Sequence, residues 1–303
     1  MALVTVTMRD DLTHCCKKVM PQSLARLKMT PGNVAMNPRS LVCLGLLHLV
    51  LCCAGHAQSL PKLNQILPRV QEHVKEFEHS LPDFICDEKI TSKELMGGTT
   101  IHETDVDSTF RGTQNRDKNP DGKYQPFTEW RDVQTIDGRP APKGQQVTGP
   151  FLFGGGFSSI LVEIFAAENS QYFNYKVIGT EKVDGKAAVI VKFETRKGQD
   201  ALLHRELFGT QYVMKGSGKA WLDLSSMNVL RLEIQYLDPP MPEGVLSLAV
   251  DYAPVVIQEK TFWMPKTVTA EQTIPNPKVP VGGQYVAEYS NYQEYKVSVR
   301  IKY

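Results

Sequence analysis

The stretch "GKAWLDLSSMNVLRLEIQ", Gly218 to Gln235, decides the reading of the chain. Ala220, Leu222 and Leu224 alternate with Trp221 and Asp223, and after a polar break Leu230, Leu232 and Ile234 alternate with Arg231 and Glu233. Alternation with period two marks a strand that lays one face on a core. Ser225, Ser226 and Asn228 sit between the two runs, and their short polar side chains bond readily to nearby backbone, which favours a turn. The segment therefore predicts a hairpin that builds a wall. In this reading Asp223 holds the turn through backbone hydrogen bonds instead of exchanging protons with a substrate.

The same period extends along most of the chain after Pro82. Strands are expected at Phe84 to Leu95, Thr99 to Phe110, Phe127 to Ile136, Asn174 to Glu181, Ala187 to Glu194, Gln211 to Leu224, Asn228 to Leu237, Val245 to Gln258, Thr261 to Thr273 and Gln284 to Ile301. Asp137-Gly138 and Asp184-Gly185 mark tight hairpin turns, because that dipeptide tolerates positive φ. Two segments break the pattern. Leu63, Ile66, Leu67, Val70, Val74, Phe77 and Leu81 fall three and four apart, which predicts an amphipathic helix starting near Pro68, with His73 and His79 on its solvent side. In "FGGGFSSILVEIFAAENS" three glycines precede Phe157, Ile160, Leu161, Ile164 and Phe165 on one helical face, which predicts a loop and a helix of about three turns. Helix, strands, helix, then an antiparallel run predicts an α+β fold in which two helices cover one face of a large curved antiparallel sheet.

The N-terminal region points to export. "MNPRSLVCLGLLHLVLCCAGHAQ" has a charged start at Arg39, an apolar run from Leu41 to about Cys53, and small residues Gly55 and Ala57 before a cleavage site expected after Ala57. Residues 36–57 are thus expected to be a signal peptide, residues 1–35 a non-native leader upstream of a true start at Met36, and residues 58–303 a single domain without a membrane span. Residues 1–57 hold six of the 34 Lys and Arg and two of the 33 Asp and Glu, so the remainder carries a net charge of −3. That balance excludes the basic face a nucleic-acid binder needs. Cys86 would be the lone cysteine after cleavage, and its flanks Phe84 and Ile85 mark it as a small buried hydrophobe.

Motifs for chemistry are incomplete. "KGSGKA", Lys215 to Ala220, lacks the first glycine and the final Ser or Thr of a phosphate loop and leads into a strand. "GFSSI" lacks the last glycine of a hydrolase elbow. His73, His79, His102 and His204 form no metal-binding pair, and no cofactor is expected. Asp117, Asn119, Asp121 and Gly122 match the first half of a calcium loop, but its twelfth position is Thr128 and Glu129 comes one residue late, so the metal-site expectation is none. Glu103, Asp105 and Asp107 share one face of a strand, as a solvated sheet face would place them.

The order of motifs around the opening segment resembles a known superfamily. Val177, Gly179 and Glu181, then the hairpin residues Val183, Gly185 and Lys186, and later Trp221, Asp223, Arg231 and Glu233 match its pattern. The chain in this region, about Tyr175 to Pro265, resembles the outer-membrane lipoprotein-sorting carriers of Lol type and the related sensor domains of Rse and Muc type. The resemblance implies an unclosed half-barrel with helices packed on its concave face. It also implies an apolar cavity that in the carriers holds acyl chains, and no catalytic residues.

From the residues themselves, an apolar sheet face under an apolar helix makes either a filled core or a lidded pocket. The candidate lining is Phe157, Ile160, Leu161, Ile164 and Phe165 on the helix, with Val189, Val191, Phe193, Leu222, Leu230 and Leu232 on strands. The function expected is a non-enzymatic periplasmic or secreted carrier of a lipid, acylated or other apolar ligand, with Gly154 to Gly156 as a hinge. The rival is a structural module that binds an envelope protein partner along an exposed strand edge. An enzyme using Glu103, Asp105 and Asp107 is the third reading.

Overall fold

The computed structural model describes residues 60–114, 127–157, 159–240, 244–276 and 278–296. The expected leader, signal peptide and half calcium loop at Asp117 to Gly122 lie outside these residues. In chain order the elements are α1 (Leu63–Ser80), β1 (Phe84–Met96), β2 (Thr99–Gln114), β3 (Phe127–Ile136), β4 (Arg139–Pro140), β5 (Phe153–Gly154) and α2 (Ile160–Phe165). A short 3₁₀ turn (Ala167–Tyr172) follows, then β6 (Phe173–Val183), β7 (Lys186–Thr195), β8 (Leu203–Leu207), β9 (Thr210–Met214) and β10 (Gly216–Asp223). β11 (Val229–Tyr236), β12 (Val245–Ile257), β13 (Lys260–Ile274) and β14 (Val281–Glu294) complete the elements of the described residues.

One antiparallel sheet of eleven strands runs in the order β4-β3-β2-β1-β14-β13-β12-β11-β10-β7-β6, and β5-β8-β9 form a small second sheet. Most connections are hairpins between neighbours, which accounts for the tight turns. Asp137-Gly138 and Asp184-Gly185 both have positive φ at both residues, as the primed hairpin turns require. Two pairings are exceptions: β7 with β10, which skips the small-sheet strands β8 and β9, and β1 with β14, from Phe84 opposite Glu294 to Met96 opposite Val281, which joins the two ends of the strand series inside the sheet.

The inner face is apolar. Val189, Val191 and Phe193 of β7, Leu246, Leu248 and Val250 of β12, and Val268 and Ala270 of β13 share one cluster with Ile66, Val70, Val74 and Phe77 of α1. Burying each such aliphatic or aromatic side chain contributes roughly 1.5–3 kcal/mol, so the stripe of α1 is what docks the helix. On the outer face Glu103, Asp105 and Asp107 are exposed as expected. They contact Lys93 at 3.0 Å, Thr91 at 2.7 Å and Thr135 at 2.7 Å respectively. Cys86 is free and buried.

Several expectations change, among them the strand expected at Gln211 to Leu224, which divides into β9 of the small sheet and β10 of the large one. The α+β expectation gives way to a mostly β architecture, because the second helix is six residues long instead of three turns. Ala166 leaves helical geometry, and the Asn169 side-chain amide donates to the Val162 carbonyl at 3.0 Å, which satisfies the end of the helix at that point. α1 begins at Leu63, so Pro68 lies inside it instead of at its start. Pro68 withholds the N–H that would bond the Asn64 carbonyl, while the Lys62 N–H bonds Gln65 Oε1 at 3.3 Å and anchors the earlier turn. Finally, β8 was not expected at all, since its inward residues Leu203, Arg205 and Leu207 include a cation.

Candidate functional site

The opening hairpin is β10 and β11, and its turn is organised by Asp223. The Asp223 carboxylate accepts from the backbone N–H of Ser225 at 2.8 Å and of Ser226 at 3.0 Å, and from the Ser225 hydroxyl. Burial pushes this carboxyl up, but the bonds from Ser225 and Ser226 outweigh it and hold it below its ordinary value. Met227, with φ of 65°, donates its N–H to the Asp223 carbonyl at 2.7 Å and closes the turn. Asp223 thus has the turn-holding geometry read from the sequence.

The turn is clasped to α1. Arg69 Nη2 donates to the Ser225 carbonyl at 3.1 Å, and His73 Nε2 lies 2.7 Å from the Ser226 carbonyl. Arg69 and His73 are four residues apart and so project from the same side of the helix. His73 is half-buried against the turn, which corrects its expected solvent position, while His79 is exposed.

Between α1, this turn and the start of β13 lies a cleft of about 400 Å³, within the ~300–1,000 Å³ typical of small-molecule sites. Val70, Val74 and Phe77 of α1, Leu161 of α2, and Met227, Val229 and Phe262 from the sheet side form an apolar floor. His73, Glu76, Asn228, Lys260 and Thr261 supply a polar rim, and Trp263 forms one wall. An apolar floor under a polar rim fits an amphiphile, with its chain inside and its polar end at the mouth.

The candidate lining residues are placed differently from one another. Phe157, Ile160, Leu161, Ile164, Phe165, Val189, Val191, Phe193, Leu222 and Leu232 share the main core cluster, and among them Leu161 lines the cleft. Leu230 does not join them. Trp221 pairs with Arg231 but Leu222 pairs with Val229, so a bulge at Leu230 turns it to the outer face with Ala188 and Trp221. Val229 takes the inner position in its place. The cleft residues that sequence reading passed over are His73, Met227, Val229, Phe262 and Trp263. Only the spacing of His73 and Arg69 along the edge of the apolar stripe could have pointed to the clasp.

The glycine loop packs closely. Gly155 has φ of 79°, and a Cβ there would stand 2.8 Å from the His204 carbonyl oxygen, so the position needs glycine. Gly154 pairs with Glu206 in the small sheet. The expected hinge is therefore stitched to β8. Just beyond it lies a buried ion pair: Arg205 Nη1 donates to Glu163 Oε2 at 2.8 Å, and Glu163 Oε1 accepts from the His204 N–H at 3.1 Å. Burial alone would raise the Glu163 carboxyl, but Arg205 and the bonds from His204 hold it below its ordinary value.

Several residues of the family-like pattern meet on the outer face. Trp221 Nε1 donates to Glu181 at 2.9 Å, Arg231 lies over the Trp221 ring at 5.9 Å, and Lys186 lies over the Trp263 ring at 4.4 Å. They lock neighbouring strands together by cation–π and hydrogen-bond contacts. Among the described residues no cluster of His, Cys, Asp and Glu could hold a metal, and no helix is long and apolar enough to cross a membrane.

No family model matches the chain, and no curated protein matches it. Solved structures similar to it include a LolA superfamily protein from Nitrosomonas europaea, at 11% identity over 77% of this chain and 95% of that one, with a TM-score of 0.36. A DUF1329 family protein from Desulfovibrio piger is 13% identical over 78% of this chain and 95% of that one, with a TM-score of 0.35. Lipoprotein LppX from Mycobacterium tuberculosis is 10% identical over 79% of this chain and all of that one (100%), with a TM-score of 0.28.

Proposed function

We propose that the protein is an exported, non-enzymatic carrier or binding protein for a lipid, acylated or other apolar ligand, and that its eleven-stranded sheet curls as a half-barrel around the helices. The observation that carries the reading is the cleft under α1, with its floor of Val70, Val74, Phe77, Leu161 and Phe262 beneath a polar rim. Each CH₂ of a chain buried there contributes about 0.8 kcal/mol. The clasp of Arg69 and His73 on the turn carbonyls is a gate that opens by breaking two hydrogen bonds, without unfolding the core. The signal-like segment before residue 58 supports export.

The rival, partner binding along a strand edge, is less well supported. The long edge strand β6 is interrupted by a bulge between Val177 and Gly179 and carries Lys176 and Lys182, devices that discourage strand addition. To test the carrier reading, the chain from residue 58 onward is purified, examined by native mass spectrometry for bound lipid, and titrated with N-phenylnaphthylamine, an apolar fluorescent probe. Saturable binding that lipid displaces is expected. Absence of both bound lipid and probe binding refutes the carrier.

A further inference from the structure

Strand pairing lays out the outer face of β10 to β13 row by row. Trp221, Arg231, Asp251 and Thr267 stand opposite one another on successive strands. Lys219, Glu233, Ala249 and Thr269 form the next row, and Ser217, Gln235, Ser247 and Glu271 the one after. Two bulges break this surface at one end. Leu230 is the extra residue of β11. Lys266 is that of β13, left without a partner between Pro265 opposite Tyr252 and Thr267 opposite Asp251. Both line a cleft of about 300 Å³ that has Trp263 as a wall. Bulges bend their strands and re-aim side chains, which gives a sheet face a depression in place of an even polar surface. The cleft runs on into a trough of about 510 Å³ along the other two rows, since Arg231 and Asp251 line both.

We propose that this outer-face trough binds a neutral oligosaccharide, with Trp263 against a sugar ring and the charged side chains on the sugar hydroxyls. The trough has depth because Ser217, Ser247 and Ala249 are short while longer side chains stand around them. Its cations are Lys186, Lys192, Lys219, Arg231 and Lys266. Asp184, Glu233, Asp251 and Glu271 offset them. Five cations against four carboxylates leave little net field to attract a polyanion or a polycation. Carboxylates accept from an O–H, and ammonium and guanidinium groups donate to its oxygen, so a lining of both signs suits a group that is donor and acceptor at once. A pyranose offers such hydroxyls around its rim and polarised C–H groups on its face, which the negative face of an indole attracts. Lys186, an exposed residue of the same cleft, lies over the Trp263 ring at 4.4 Å, so a ring face is turned to the cleft. An arriving sugar takes that face and meets the displaced ammonium with a hydroxyl. An aliphatic chain laid across the same rows would desolvate their charges without bonding them. The site is therefore distinct in place and chemistry from the cleft under α1, and the inference stands apart from the carrier reading.

The test titrates the chain from residue 58 onward with cellotetraose, chitotetraose and maltotetraose, read by isothermal calorimetry and by tryptophan fluorescence. At least one of these sugars is expected to bind saturably at micromolar to millimolar concentration and to shift the emission. Ala249→Ile raises the floor of the trough from a half-buried outer position with a residue that strands favour, and should weaken sugar binding at least about tenfold by steric exclusion. Lys266→Ala, at the exposed bulge, should weaken it about three- to tenfold, the loss of one net hydrogen bond. Both variants are expected to melt with the native protein and to bind N-phenylnaphthylamine as it does. Absence of binding by all of the sugars overturns the proposal, as does unchanged sugar affinity in either folded variant. Tighter binding of tetragalacturonate than of the neutral sugars also overturns it, since the trough is then an anion site. Displacement of N-phenylnaphthylamine by the sugar overturns it too, because the sugar then occupies the cleft under α1. Sugar binding in a protein that takes up no apolar probe removes the carrier reading alone.

Discussion

Replacing Glu163 by Gln isolates the electrostatics of the interior. The substitution keeps the volume of the side chain and removes the charge that faces Arg205 at 2.8 Å, while Arg205 stays 0% exposed. A guanidinium cannot escape by losing its proton, so its charge stands unbalanced in the interior beside Tyr236. Breaking a buried pair in this way costs about 3–5 kcal/mol. For a domain of this size each kcal/mol lowers Tm by ~2–4 °C, so the variant is expected to melt ~6–20 °C below the native protein. Circular dichroism melts and urea titrations at pH 7 measure both quantities. The double variant Glu163→Leu with Arg205→Met is expected to recover most of the loss, because it removes both charges and leaves packing. The reasoning is refuted by a single variant within 1 kcal/mol of the native protein, or by a double variant no better than the single.

The same pair sets a pH dependence whose sign follows from the lowered Glu163 carboxyl. The folded state holds this group deprotonated more strongly than the unfolded chain, so its contribution is present above the ordinary value of 4.5 and is lost as pH falls below it. Glu163→Gln should flatten that part of the acid-denaturation profile.

Four other measurements bear on the structure. Thr261→Trp, at an exposed position on the cleft rim, should fill the cleft, weaken displacement of the fluorescent probe at least about tenfold and change stability by less than ~1 kcal/mol; unchanged binding would place the ligand elsewhere. Asp223→Ala removes the acceptor of the Ser225 and Ser226 amides and should cost ~1–3 kcal/mol in a urea titration, with loss of probe affinity because the same turn positions Met227 and Val229. Burial, assisted by Glu168, raises the Glu78 carboxyl to about 7; its stabilising protonated form is present below 4.5 and lost as pH rises through 7, so Glu78→Gln should be more stable than the native protein at pH 8 and equal to it at pH 4. Cys86 is buried and its thiol is pushed well above the ordinary range by burial and by the carboxylates of Glu88 and Asp87, so iodoacetamide should label it only after denaturant is added.

Local chemistry made the hairpins legible. Asp-Gly at residues 137–138 and 184–185 can be read without tertiary knowledge, because positive φ is a property of the turn itself. The apolar stripe of α1 was equally legible, since its period needs only one partner surface. The length of α2 and the start of α1 failed on local capping; the other failures were positions decided by contacts distant in sequence. β8 hides behind Arg205, which reads as a surface residue until Glu163 and Tyr236 are brought to it from forty-two and thirty-one positions away. Leu230 kept the alternating pattern in sequence, but one bulge reversed its side, and nothing local to "NVLRLE" announces where the register slips.

The candidate site shows why an apolar list is a poor predictor of a cavity. The residues grouped as lining were chosen for being large and apolar at the right period, and those are the residues a core fills first, so among them Leu161 lines the cleft under α1 while the others do not. The cleft instead opens between the apolar face of α1, the turn after Asp223 and the start of β13, with a polar rim of His73, Glu76, Lys260 and Thr261. Shape there is set by the turn after Asp223, whose two serine carbonyls meet Arg69 and His73. The segment that defines the wall thus also positions the clasp: "SSMN" supplies the carbonyls that hold α1 and the Met227 side chain that forms part of the floor. A change confined to this turn should alter ligand exchange more than it alters the sheet, because the strands on either side are paired through β7 and β12 independently of it.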